Sequence, residues 1–216
     1  MKKLNTPIGI SGIAAYIPPY RVWLNDWCEW TNNQWPKIRE VVGRSFRLRG
    51  NQHSVYTMAA TAVIRLIDQY NIDPEKVKFL ALGTESSTDN SAGAIIIKGM
   101  INEALISQNK PPISRSCEVP EFKHACLGGV YAMKGAIRQI ALDGSGGKAI
   151  VVCSDIAEYP LDSSGEPTQG AGAVAMLVEE NPKLLEVDIL NSGSASDYRI
   201  LCLLYTSDAA DELRSV

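Results

Sequence analysis

Two short, almost uninterrupted apolar runs, residues 77–83 and 148–153, constrain this chain more than any other feature. Runs of that length, rich in β-branched residues and bounded by turn signals, read as strands buried on both faces. The segments beside them change period. Val55, Met58, Ala59, Ala62, Val63, Leu66, Ile67 and Tyr70 recur at helical spacing, with Pro74 closing the segment. Residues 92–105 read as a second helix. Leu127, Val130, Met133, Ile137, Ile140 and Ala141 repeat the helical spacing, and Asp143-Gly144-Ser145-Gly146-Gly147 ends it. Two further strands are expected at residues 172–178 and 185–190. Strands that alternate with helices, then follow one another, predict a layered α/β fold with a mixed sheet.

The first fifty residues are less regular. Residues 8–22 are apolar and β-branched, with a turn at Pro18-Pro19, and suit a strand. Trp23, Trp27 and Trp30 follow at i, i+4 and i+7, one face of a helix. A helix packed on the body of the protein is the plain reading, and a lid or channel wall for a ligand the sharper one. Arg44, Arg47 and Arg49 form a short basic cluster. A solvated surface explains it, although arginine also grips phosphate well.

Composition removes several function classes. A net charge of −3 at pH 7 argues against a general nucleic-acid surface, which needs clustered positive charge. No apolar run reaches the length that spans a bilayer. Gly and Pro interrupt the N-terminus, so no signal peptide is read and a cytoplasmic location is expected. The five cysteines then read as thiols rather than a disulfide framework. They form no CxxC pair, and no metal site is expected. The glycines at 144, 146 and 147 follow a helix and precede a strand, the reverse of a dinucleotide fingerprint, and no P-loop is present.

Chemistry concentrates around Cys126. The spacing places it at or near a helix start, where backbone N–H groups lower a thiol's pKa and can hold an oxyanion. Gly128 and Gly129 follow, and their bare backbone would let a substrate approach. Cys28, Cys117 and Cys153 read as small core hydrophobes. Glu85 lies just beyond an apolar strand, where a loop can aim it into a cleft for proton transfer; a capping or surface glutamate is the plain alternative. His53 fits a structural place at a helix N-terminus. His124, two residues before Cys126, either tunes the thiol or is solvated.

Three stretches carry a family resemblance. Glu121-Phe122-Lys123-His124-Ala125-Cys126-Leu127-Gly128-Gly129 resembles the nucleophile segment of 3-hydroxy-3-methylglutaryl-CoA synthases. Gly83-Thr84-Glu85-Ser86 resembles their acid/base loop. Ser154-Asp155-Ile156-Ala157-Glu158-Tyr159 and Ser164-Gly165-Glu166-Pro167-Thr168-Gln169-Gly170-Ala171-Gly172 resemble the bacterial members. The resemblance covers roughly residues 8–181.

It implies a thiolase-like layered αβαβα fold, usually dimeric, with this chain as the N-terminal half. Cys126 would accept an acetyl group from acetyl-CoA. Glu85 would remove a methyl proton, and the carbanion would add to acetoacetyl-CoA or to an acyl chain on a carrier protein. Thr168, and beside it Ser164, match positions that contact the substrate. No cofactor is implied beyond the coenzyme A thioesters themselves. The family's third catalytic residue is a histidine in the second half, and this sequence has no histidine after His124. Residues 1–200 are therefore expected to form the N-terminal half of a synthase domain, inactive in condensation when alone. Residues 201–216, including Cys202-Leu203-Leu204-Tyr205-Thr206-Ser207, resemble a translated sequencing adapter and are expected to be a non-native tail. A ketoacyl-carrier-protein synthase III type enzyme and a non-catalytic acyl-CoA-binding subunit are the alternatives.

Overall fold

The computed structural model describes residues 6–142 and 146–194. The elements run β1 (Ile8–Tyr16), β2 (Tyr20–Trp23), α1 (Leu24–Thr31), α2 (Trp35–Val41), β3 (Ser45–Leu48), α3 (Val55–Gln69), β4 (Val77–Thr84), α4 (Gly93–Ser107), β5 (Glu121–Lys123), α5 (Gly128–Leu142), β6 (Lys148–Ala157), β7 (Gly170–Glu180) and β8 (Leu185–Glu186). Six strands form one sheet in the order β5-β4-β6-β7-β1-β8, and β2 pairs with β3 in a separate ribbon. β4 runs parallel to β5 and β6. The pairs β6–β7, β7–β1 and β1–β8 are antiparallel. The mixed sheet expected from the sequence is present.

Register sorts the apolar runs onto two faces, because successive side chains along a strand point to opposite sides. Leu80 pairs with Ile150 and Leu82 with Val152. Across the next ladder, Ile150 meets Leu177 and Val152 meets Ala175. All six are buried against α3 and α4. Phe79, Ala81, Ala149, Val151 and Val178 point the other way and pack with α5.

α3 begins as its sequence suggests. The Ser54 side chain accepts the N–H of Thr57, and Thr57 Oγ1 accepts the N–H of Ser54, a reciprocal capping box. The helical stripe is buried from Val55 through Ile67, while Tyr70 is half-buried at the C-cap. His53, just before the cap, is buried between the Tyr16 hydroxyl and the Gly50 N–H, the structural place expected for it.

The tryptophan stripe departs from expectation. Trp27 is buried, but Trp23 is the N-cap and Trp30 is 72% exposed. The buried stripe of α1 is Leu24, Trp27 and Cys28, and it packs with Phe46 of β3 in a small separate core. The helix is thus rotated relative to the tryptophan face, because its partner is the β2–β3 ribbon rather than the main sheet. Of the arginines, Arg47 donates to the carbonyls of Pro18 and Pro19, and Arg49 pairs with Glu158 at 2.6 Å. Both side chains therefore tie the ribbon and its neighbouring turn to the body. Arg44 is exposed. The strand expected at residues 185–190 shrinks to Leu185–Glu186, and residues 187–194 leave the sheet. The expected tail at 201–216 lies outside the described residues.

Candidate active site

Both parallel neighbours β4 and β6 end, β7 starts and α5 starts at one end of the sheet. Loops at the carboxyl ends of parallel strands are where open α/β sheets place their sites. Cys126 arrives there from β5. Ala125 has a φ of +39°, and Ala125–Leu127 form a single 3-10 turn leading into α5. A left-handed alanine costs on the order of 1–3 kcal/mol, a strain located at the residue before the thiol. Two residues after the thiol, α5 begins, so Cys126 lies in the turn that precedes the positive end of the helix dipole.

Cys126 is exposed and lines a cavity of ≈ 730 Å³. Gly83, Cys153 and Asp155 line the same cavity, and its apolar walls include Val130, Met133, Ile137, Met176 and Ile189. The cysteines therefore divide. Cys28 and Cys117 are buried, and burial pushes the Cys117 thiol up to about 11. Cys153 is not the plain core cysteine expected; it is half-buried and faces the cavity. Burial and then the charge of Asp155 push its thiol above the ordinary value.

The glycines let neighbouring backbone pack closely, and two of them, Gly83 and Gly129, also line the cavity. A Cβ on Gly83 would lie 2.4 Å from the Gly129 nitrogen. One on Gly128 would lie 2.5 Å from the Phe122 carbonyl oxygen, and one on Gly129 2.5 Å from Cys153 Sγ. The missing side chains let the end of β4, the thiol turn and β6 touch directly. Gly129, expected to leave room for a substrate, borders the cavity, whereas Gly128 does not.

Glu85 is exposed at the first position beyond β4. Its side chain is not among those lining the Cys126 cavity, and neither is that of His124. The His124 ring instead meets Tyr131 edge-on, with centroids 5.0 Å apart. What connects the Glu85 loop to the cavity is Asp155, which sequence reasoning did not single out. Its Oδ1 accepts from Thr84 Oγ1 (2.9 Å), the Glu85 N–H (2.9 Å), the Ser86 N–H (3.1 Å) and Ser86 Oγ (2.7 Å). Ser86 Oγ in turn accepts the N–H of Ile156. One carboxylate on β6 thus fixes the backbone that carries Glu85. The signal was available, since an acid near the end of an apolar strand is the same pattern that drew attention to Glu85.

Thr168 and Ser164 lie at the same end of the sheet but not in the same cavity. Thr168 ends a 3-10 turn just before β7, donates to the Gly165 carbonyl at 2.7 Å, and lines a cavity of ≈ 280 Å³ with Phe46 and Arg47. Ser164 is exposed in the preceding turn. Among the described residues, no group of three or more His, Cys, Asp and Glu is placed to hold a metal. No described helix is long and apolar enough to cross a membrane.

Comparison with known proteins gives a consistent result. Residues 5–183 match the family model described as the N-terminal part of hydroxymethylglutaryl-coenzyme A synthase. The chain is 34% identical to hydroxymethylglutaryl-CoA synthase of Enterococcus faecalis over 179 residues, covering 82% of this chain and 44% of that protein. It is 31% identical to the Saccharomyces cerevisiae enzyme over 173 residues, 79% of this chain and 33% of that one. Its fold is similar to that of MvaS in complex with 3-hydroxy-3-methylglutaryl coenzyme A. That match has a TM-score of 0.77 and 34% identity, and covers 86% of this chain and 43% of the other. A curacin-pathway HMG synthase in complex with holo donor-ACP shares the fold at a TM-score of 0.74 and 23% identity, covering 85% and 43%. The chain spans less than half the length of the curated relatives it matches.

Proposed function

This chain belongs to the hydroxymethylglutaryl-coenzyme A synthase family, matching its N-terminal part, and from that premise we propose that it supplies the acyl-accepting side of a carbon–carbon bond-forming acyltransferase. One observation carries the reading. The exposed cysteine among the four described ones stands one short turn ahead of a helix, at the carboxyl end of the parallel strands, in an open cavity.

In this reading the Cys126 thiolate attacks the thioester carbonyl of acetyl-CoA, and coenzyme A leaves with the proton. The N-terminal end of α5 favours both the thiolate and the oxyanion of the tetrahedral intermediate. Glu85 takes a proton from the acetyl methyl group, and the resulting carbanion adds to the ketone of the acceptor. Water then cleaves the thioester to Cys126, releasing 3-hydroxy-3-methylglutaryl-CoA when the acceptor is acetoacetyl-CoA. Asp155 holds the Glu85 backbone during these steps. A relative is known in complex with 3-hydroxy-3-methylglutaryl coenzyme A and another with CoA, which supports an acyl-CoA donor; the acceptor in this reading is acetoacetyl-CoA or a carrier-bound acyl chain. Thr168 and Ser164 contact the substrate in this reading, and the full-length enzyme is a cytoplasmic homodimer.

The test separates two half-reactions. Glu85→Ala in the full-length protein should still form acetyl-enzyme, yet lose condensation by roughly 100- to 10,000-fold. Condensation at the wild-type rate would return Glu85 to a surface role.

A further inference from the structure

The thiol and the Glu85 loop are joined by a strand only three residues long. β5 leads directly into the Cys126 turn, and its side chains alternate. Phe122 packs on the α5 side, while Glu121 and Lys123 both reach the loop that follows β4. Lys123 Nζ donates to the carbonyls of Ser87 (2.8 Å) and Asp89 (3.0 Å). Glu121 accepts Ser87 Oγ (2.9 Å) on one oxygen and the Gly93 N–H (2.6 Å), the first residue of α4, on the other. Asp89 is fixed in turn by the Tyr56 hydroxyl and the Ala92 N–H. Residues 84–93 are therefore held from two sides. Asp155 on β6 grips the start, where Glu85 stands, and β5 grips the remainder.

We propose that Lys123 is a positioning residue. It locks the Glu85 loop to the strand that delivers Cys126, so that carboxylate and thiol move as one unit. The proposal rests on the acyl-transfer reading above. The sheet does not need this lysine. β5 is already paired with β4 through Leu82 with Glu121, Gly83 with Phe122 and Thr84 with Lys123. The Lys123 side chain is exposed, yet two of its ammonium's three donors go to backbone carbonyls of the loop. A lysine that served only solubility would leave those carbonyls to water.

The two half-reactions tell positioning from folding. Acetylation of Cys126 uses the thiol alone, whereas condensation needs Glu85 placed against the acetyl group, and a misplacement near 1 Å can cost about 100-fold. In the full-length protein, Lys123→Met should acetylate Cys126 within about threefold of wild type and lose condensation by about 100-fold, chiefly in kcat. Lys123→Arg, which keeps the charge and the donors, should recover at least part of that loss. Ser87→Ala, which removes the Ser87–Glu121 hydrogen bond while leaving every residue of β5 in place, should fall between. Hydrogen exchange of the amides at residues 85–89 should quicken in Lys123→Met while that of α3 is unchanged. Condensation at the wild-type rate in Lys123→Met, or equal loss in both half-reactions, would overturn the proposal. Failure of the wild-type protein to acetylate Cys126 would instead sink the acyl-transfer reading on which it rests.

Discussion

The two faces of the main sheet are built differently. On one, α3 and α4 lie side by side and seal the strands, and Met58, Leu66, Leu80, Leu82, Ile97, Ile101 and Ile150 lose all contact with water. On the other, α5 is the one helix among the described residues, with Val187 and Ile189 packed beside it. It buries Phe79, Ala81, Ala149 and Val151 over β4 and β6, but beyond it the face opens. Ile13 and Val174, on β1 and β7, are exposed. So are Leu127 at 48% and Val130 at 53% at the front of α5. The sealed face supplies stability and the open face carries the thiol. More than half of the Enterococcus faecalis relative lies outside the matched span.

Substitutions can break this comparison. The largest effect is expected on the sealed face. Leu66→Ala should destabilise the chain by about 2–5 kcal/mol, the range for emptying a fully buried leucine site, as measured by denaturant unfolding. Gly83→Ala comes next. Its Cβ would meet backbone nitrogen at 2.4 Å, and relieving that overlap should cost about 1–3 kcal/mol and displace the thiol turn. Slower alkylation of Cys126 would report the displacement, and an unchanged rate would mean that the three glycines are not what joins β4 to the turn. Val130→Ser on the open face should stay within about 0.5 kcal/mol of wild type. A loss equal to that of Leu66→Ala would show that the α5 front is covered and the contrast false.

The smallest effect concerns acid. Burial pushes the Asp89 carboxyl up, but hydrogen bonds from Tyr56 and the Ala92 N–H outweigh it and hold the group below its ordinary 3.8. A depressed folded value means that the stabilisation is present above the unfolded value and lost as pH falls through the folded one. Protection of the Ala92 and Gly93 amides should therefore hold through neutral pH and fall only below 3.8. Loss at higher pH would show that Asp89 does not anchor this loop.

What the sequence revealed follows from what periodicity can encode. The α3 stripe and the strands β4 and β6 were legible because each is an apolar pattern with one solution. The place of Cys126 before a helix followed from the spacing after it. Periodicity says which residues share a face but not whether that face has a partner. Leu127 and Val130 therefore look the same in sequence as Ile137 and Ile140, although only the latter pair is buried. The tryptophans misled for the same reason, since α1 turned toward a ribbon that pairs residues about 25 apart. A glycine marks a missing side chain without naming what fills the space. At Gly83, Gly128 and Gly129 the filler was neighbouring protein. Asp155 passed unnoticed because its role lies in donors on another loop, which no local pattern records.

The central claim is that the exposed thiol on the open face accepts the acyl group. The direct measurement is peptide mapping of the full-length protein after brief exposure to acetyl-CoA labelled in its acetyl group. The label should sit on the peptide containing Cys126 and disappear in Cys126→Ala, while Cys117, held near 11 by burial, and Cys153 stay unlabelled. Label on Cys117 or Cys153, or undiminished labelling of Cys126→Ala, would contradict the account.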